Sequence, residues 1–418
     1  MESSKEKNDI LVKLQYLTDN IFISKDNSEF NNIASFTNNF NYTIKNLNIN
    51  NPVLEQITIN DKISLFNKKY TNEQKQKLIY NFNKLMYFCY RKNTYPMKTR
   101  INIGISRDSG WGCMIRCGQM IMSRAIYKYL KSKKFSTEKA ICETLKYFLD
   151  LPYSDKNLPS IFSSLLSINP NLNNVGILPP LGIQMHTLLG KFYNKYAGEW
   201  FSDVNICKNY KDINECFNLF PELGILHFVS DLNLQEVLDK CFTLVNNENS
   251  DKNKKIFDLN DNKYIMKKCG LIFISTRIGI TKITNEYYFS LKNLFECKEC
   301  IGIIGGQTNL AHYFIGYNAK GDLIYLDPHV TRDAVNELNE NSIINDYLIK
   351  NLHEISIDDM STALSVGFLF RNSDEFEDFL LFLENYSKKS YPCFGYLKKK
   401  VEVDINQYEN LFNDEDDF

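Results

Sequence analysis

Ser109-Gly110-Trp111-Gly112-Cys113-Met114-Ile115-Arg116-Cys117-Gly118-Gln119 is the stretch from which the rest of the chain is read. Two glycines flank a tryptophan, and a cysteine then opens an apolar series, Ile121, Met122, Ala125, Ile126, Tyr129 and Leu130, at helical spacing. Cys113 therefore stands where a tight turn becomes a helix. Unpaired N–H groups and the positive end of the helix dipole favour an anion there, so its thiol should ionise more readily than a free cysteine at about 8.5. A nucleophile is one reading. A small core residue, the common fate of a free cysteine, is the other.

The chain has 418 residues, 44% of them apolar, enough for a large core in one big domain or two. A net charge of -1 gives no global pull toward nucleic acid or an anionic membrane, so partners are sought in local sites. The 11 cysteines are odd in number and lack the spacing of a disulfide framework. Met1 to Ile10 has no apolar signal region, and a reduced, cytoplasmic protein is expected. The longest apolar runs, such as Cys269 to Ser275 and Phe379 to Leu383, suit a buried strand and a helix face and are too short to cross a bilayer.

Residues 1–62 are rich in Asn, Ser and Ile and read as a loosely ordered extension without chemistry. Thr71 to Gln74 has capping-box form, and Leu78, Phe82, Leu85, Met86 and Cys89 predict a helix ending near Tyr90-Arg91-Lys92. A further helix is predicted from Thr137 to Leu149, followed by a proline-punctuated segment and a polar insertion between Asn246 and Asn262. Apolar runs at 269–275, 301–305, 311–317, 322–327 and 364–370, bounded by Gly, Asn and Asp, are strands. Asn372, with Glu375 three residues on, caps a last helix that buries Phe376, Phe379, Leu380, Leu383 and Tyr386. Residues 400–418 form an acidic tail. Helices first and a sheet afterwards indicate an α+β fold, with the Cys113 helix packed across an antiparallel sheet.

A thiolate nucleophile needs an imidazole, and the chain has five: His186, His227, His312, His329 and His353. His329 stands out because Asp327-Pro328-His329 ends an apolar strand, and extended residues two apart point to one face. The carboxylate can then accept the Nδ1 proton and leave Nε2 to face Cys113. His312, among Ala311, Tyr313 and Phe314, reads as a core or rim histidine. Cys297-Lys298-Glu299-Cys300 has the spacing of half a zinc site with no second pair, so no metal and no cofactor are expected. That pair, read as exposed near a helix end, could oxidise reversibly.

Gly110 to Met120, Ile304 to Tyr317 and Leu323 to His329 resemble the corresponding segments of the autophagins, the cysteine peptidases of the autophagy-related protein 4 family (peptidase family C54). Tyr90-Arg91-Lys92-Asn93 and Ser365-Val366-Gly367-Phe368 fit as well, and the resemblance runs in order from about residue 63 to 390. It implies a papain-like fold over 63–399 with a small auxiliary region at roughly 155–265. It also implies a peptidase that trims the precursor of a ubiquitin-like autophagy modifier after glycine and later cuts that glycine from phosphatidylethanolamine. Membranes are then reached only through the substrate, and nucleic acid is no partner.

Carried over by residue, Cys113 is the nucleophile, His329 the general base and acid, and Asp327 its orienting partner. Tyr90 supports the oxyanion, Trp200 covers the site, and Gly305-Gly306 resemble the flexible loop facing it. Tyr408 and Leu411 resemble a modifier-interacting motif in the tail. After Trp200-Phe201 this chain has Ser202-Asp203 where the family commonly has Gly-Pro. A relative that only binds the modifier, and a hydrolase acting on another ubiquitin-like protein, remain alternatives. The joint presence of Cys113, Asp327 and His329 favours the enzyme.

Overall fold

The computed structural model describes residues 2–24, 62–152, 175–245, 255–259, 262–335, 338–348 and 350–398; the tail motif at Tyr408 and Leu411 lies outside them. In chain order the elements that position the site are α1 (Glu2–Ile21), α2 (Lys75–Asn83), β1 (Tyr90–Lys98), α3 (Cys113–Ser132), α4 (Thr137–Lys146), α5 (Asp203–Phe217) and β2 (Leu223–Val229). They continue as β3 (Cys269–Arg277), β4 (Cys300–Gln307), β5 (Leu310–Asn318), β6 (Leu323–Leu326), β7 (His353–Ile355), β8 (Ala363–Phe370) and α6 (Ser373–Tyr386).

The last seven strands line up in the order β7-β6-β5-β4-β8-β3-β2, antiparallel throughout except for the parallel pair β3–β2. Helices cover both faces of this sheet. Leu271 and Phe273 of β3 join the core that holds α3, while Ile272 and Ile274 join a second core with Phe376, Phe379 and Leu383 of α6. Burial on both faces explains why these strands read as unbroken apolar runs. Asn372 caps α6 as expected, accepting from the Glu375 N–H at 2.9 Å. β2 falls inside the region expected to be auxiliary, yet it is an edge of the main sheet.

α3 lies across β4 and β5 and is buried on nearly every side. Such a helix must satisfy its polar side chains internally. Arg116 donates to Asp108 Oδ2 at 2.6 Å, to Asp150 Oδ1 at 2.8 Å and to Gln119 Oε1 at 2.9 Å, while Gln119 donates to the Leu181 carbonyl at 3.0 Å. Gly367 permits this close packing, since a Cβ there would stand 2.9 Å from the Ile121 side chain.

Three expectations change. Residues 2–21 form α1, with Leu17 and Ile21 buried and Lys13 paired with Asp212 at 2.9 Å, where a loose extension was expected. Ile10, Leu14, Leu17 and Ile21 make a helical stripe that the asparagine-rich composition further on obscures. The helix predicted to run to Tyr90 stops at Asn83, and Tyr90 begins a strand instead. The polar insertion contains an antiparallel pairing of Ile256–Leu259 with Asn262–Met266, which extends onto Phe242–Leu244.

Candidate active site

The turn before α3 is tight because Gly110 takes φ +87°, a region that side chains disfavour. Gly112 then starts the helix without a side-chain cap. The first turn's N–H groups are therefore left for whatever faces Cys113.

Asp327 and His329 follow the end of β6. The Asp327 carboxylate accepts from the backbone N–H of His329 at 3.1 Å, and the same oxygen takes the Nδ1 proton of the imidazole in a short hydrogen bond. With Nδ1 so engaged, Nε2 is left on the Cys113 side. It closes no hydrogen bond of ordinary length, although the two groups are near enough to shift each other's ionisation. A loose contact of this kind is common in a site without substrate.

The electrostatics follow from burial set against partners. Burial opposes ionisation of the Cys113 thiol, but His329, the Ala311 N–H and the Tyr90 hydroxyl outweigh it and bring the thiol below its usual value. Burial likewise opposes the imidazolium, but Asp327 and then Cys113 lift His329 to about 9. Asp327 is held below the ordinary carboxylate range by His329 despite its partial burial. Cys117, one turn along and fully buried, is pushed far the other way by desolvation. Two cysteines one turn apart on one helix are thus pushed in opposite directions.

Tyr90 reaches the site from β1. Its backbone N–H donates to the Pro328 carbonyl at 3.0 Å, and Thr331–Asp333 pairs in parallel with Tyr90–Lys92. Its ring stands edge-on to His329, centroids 5.4 Å apart. Burial and then the neighbouring Cys113 raise its hydroxyl, which therefore stays protonated and able to donate. Trp200 is 51% exposed, and its Nε1–H donates to the Gly110 carbonyl at 2.8 Å, laying the indole beside the turn that carries Cys113. Behind it, Ser202 caps α5 in a capping box with Asn205, and buried Asp203 accepts from Ser365 Oγ at 2.7 Å. Gly-Pro at those two positions would offer neither anchor.

Gly305 and Gly306 lie within β4, paired with His312 and Ala311, and not in a loop. The hairpin turn is Thr308-Asn309, which begins two residues after Gly306, with Asn309 at φ +66°. A Cβ on Gly306 would come 1.9 Å from the Leu310 carbonyl oxygen, so close backbone approach accounts for that glycine. Cys297 and Cys300 are both buried and not exposed as read from sequence. Desolvation raises both thiols, Cys300 to about 12.

His312, read from sequence as a core or rim histidine, is indeed buried, but it also sits beside Asp327, which the sequence did not reveal. Its side chain is 2% exposed, with Nδ1 4.0 Å from Asp327 Oδ1. Among the described residues, His312, Asp327 and His329 form a cluster with one ligand-type atom each within 4.8 Å of one another. The carboxylate oxygen nearest both rings is already bonded to His329, so a cation would have to open that bond. Asp108 was missed too: it accepts the Arg91 N–H at 2.5 Å and the Arg116 Nε–H at 2.6 Å, tying β1 to α3 behind the site.

A cysteine at the head of a buried helix, facing a histidine held by a carboxylate just past the end of a strand, is an arrangement suited to thiol hydrolysis. The Peptidase C54 catalytic domain matches residues 75–381, and the chain belongs to that family of cysteine proteases. It is 28% identical over 282 residues to the probable cysteine protease atg4 of Aspergillus oryzae, covering 66% of this chain and 59% of that protein's own length. It is 24% identical over 376 residues to cysteine protease ATG4B of Gallus gallus, covering 82% of this chain and 89% of that protein. With cysteine protease ATG4A of Homo sapiens the identity is 25% over 319 residues, or 73% of each. Among the described residues no helix is long and apolar enough to cross a membrane.

Proposed function

We propose that this chain cleaves a ubiquitin-like autophagy modifier after its C-terminal glycine, first from the precursor and later from phosphatidylethanolamine. The observation that carries the reading is the pairing of Cys113 and His329, the thiol shifted down and the imidazole up, with Asp327 holding Nδ1. Family membership and the named relatives support the substrate class.

The Cys113 thiolate attacks the carbonyl carbon of the glycine itself, forming a C–S bond while the carbonyl oxygen takes the electron pair. The Cys113 N–H at the helix start and the Tyr90 hydroxyl donate to that oxyanion, each donor worth about 3 kcal/mol of barrier on precedent elsewhere. His329 Nε2–H gives its proton to the departing amine, and the C–N bond breaks to leave a thioester. Neutral His329 then takes a proton from water, whose oxygen attacks the thioester. Cys113 departs as thiolate, His329 is again imidazolium, and the glycine carboxylate is released. A cover such as Trp200 beside the turn suits glycine, whose backbone enters a slot that excludes side chains.

The test uses the full chain with a modifier precursor and with lipidated modifier on vesicles. Wild type and Cys117→Ser release the glycine terminus, and Cys113→Ser does not. An intact precursor with wild type, or activity that survives Cys113→Ser and is lost with Cys117→Ser, overturns the reading.

A further inference from the structure

His312 is the one histidine of the cluster for which the chemistry above has no use. It lies on β5 one residue beyond the Tyr313–Leu326 pair, which brings it across from Asp327. Its ring packs on Tyr325 with centroids 4.1 Å apart, and stands 5.7 Å from the His329 ring at 81°. Neither ring nitrogen has a hydrogen-bond partner among the described residues. A buried polar group so placed is disfavoured unless it has a task. A phenylalanine would fill the same space on Tyr325 without that penalty.

We propose that His312 is a positioning residue, its Nδ1–H aimed at Asp327 so that the carboxylate stays directed at His329 through both halves of the reaction. The inference rests on the catalytic reading of Cys113 and His329. While His329 is imidazolium, Asp327 is paired with a full charge. Once that proton leaves with the amine, the part-buried carboxylate faces only neutral donors and is freer to turn. A second N–H dipole directed at the same Oδ1 counters this. At 4.0 Å the contact is open, and an approach of about 1 Å closes it into a hydrogen bond.

The arrangement also requires His312 to remain uncharged, since a second imidazolium would compete for the carboxylate. Burial pulls its pKa down to about 4, against the attraction of Asp327 and with help from His329 and His353. The titratable groups that face it are Tyr325 on β6, Asp327 and His329 on the segment that follows, and His353 on β7. Gly305, its neighbour on β4, brings no charge.

The experiment compares wild type, His312→Phe and His312→Asn as full chains. Phenylalanine keeps the ring, and asparagine keeps an N–H close to the Nδ1 position. The first readout is the pH profile of Cys113 alkylation by iodoacetamide, which needs no substrate; the second is kcat against KM on modifier precursor. With phenylalanine the acid limb of alkylation moves up by about one pH unit and kcat falls roughly ten-fold at nearly constant KM, well short of the loss expected when the carboxylate itself is removed. Asparagine restores both to within about three-fold of wild type. A phenylalanine variant that matches wild type, or an asparagine variant as impaired as phenylalanine, overturns the proposal. Nitrogen NMR of wild type tests it without any variant: His312 should be neutral with the proton on Nδ1, and an Nε2–H tautomer refutes it. If wild-type Cys113 itself shows no enhanced alkylation below pH 8, the catalytic reading fails and this inference falls with it.

Discussion

The indole N–H of Trp200 donates to the carbonyl of Gly110, three residues before Cys113, at 2.8 Å. One hydrogen bond thus joins the indole to the turn that carries Cys113, and in the proposed role of Trp200 as a cover, substrate entry breaks it. A bond of this kind contributes about 0.5–1.5 kcal/mol net, so its loss should leave the cover open roughly two- to ten-fold more often. Trp200→Phe should therefore speed alkylation of Cys113 by a small reagent several-fold. Trp200→Ala should do the same while slowing cleavage, because the wall of the slot is gone. Mass spectrometry of Cys113 over time checks both, and slower alkylation in either variant would count against the cover.

In the proposed mechanism the Cys113–His329 pair sets the pH dependence of activity. Thiolate and imidazolium coexist above the lowered pKa of Cys113 and below about 9, where His329 loses its proton. The value of kcat/KM should rise through the first, hold a plateau, and fall near 9. A profile that declines already at pH 7 would be inconsistent with this pairing.

Stability follows the same groups with the sign worked out. His329 has its folded pKa raised to about 9, so its contribution is complete below the unfolded value of about 6.5 and lost as pH rises through 9. Asp327 has its folded pKa lowered, so its contribution is present above about 3.9 and lost as pH falls through the folded value. The stability difference between wild type and His329→Ala in urea should be largest between about pH 4 and 6.5 and shrink toward 9. A difference that grows from pH 7 to 9 would contradict the assignment.

Asp108 and Arg116 are both fully buried and 2.6 Å apart. Asp108→Ala strands part of the Arg116 charge and frees the Arg91 N–H that holds β1 beside α3. The expected cost is about 3–5 kcal/mol of stability in denaturant unfolding, the usual penalty for breaking one side of a buried pair. A loss under 1 kcal/mol would mean that Asp150 alone satisfies Arg116.

The first helix is part of the core in spite of its polar sequence. Leu17 is 0% exposed, so Leu17→Ala should cost about 2–5 kcal/mol. Unfolding in urea measures it, and a neutral result would mean that α1 adds nothing to the fold.

Sequence by itself determined the local chemistry. Gly110 before Cys113, the helical stripe that follows, and Asp327-Pro328-His329 at a strand end depend on neighbours within a few residues, where backbone conformation and side-chain direction are decided locally. The apolar runs that became β3, β4, β5, β6 and β8, and the Asn372 cap of α6, are legible for the same reason. What lay beyond reach depends on partners distant in the chain. Tyr90 reads as a helix-end residue until parallel pairing with Thr331 makes it the start of a strand. The apolar run read as a strand ends at Gly305, and the family resemblance makes Gly305-Gly306 a loop; pairing with His312 and Ala311 carries the strand through both.

The neighbour of Asp327 was decided by a single irregularity. Along β5 and β6, Tyr317 pairs with Leu323 and Gly316 with Ile324, but after a bulge Phe314 pairs with Tyr325 and Tyr313 with Leu326. Without that shift Tyr313 would lie across from Asp327; with it, His312 does. A one-residue slip exchanges the two faces of a strand, and no feature of either strand read alone specifies where the slip occurs. Only the packed sheet does, because α3 fills one face of it while the other closes over a separate core.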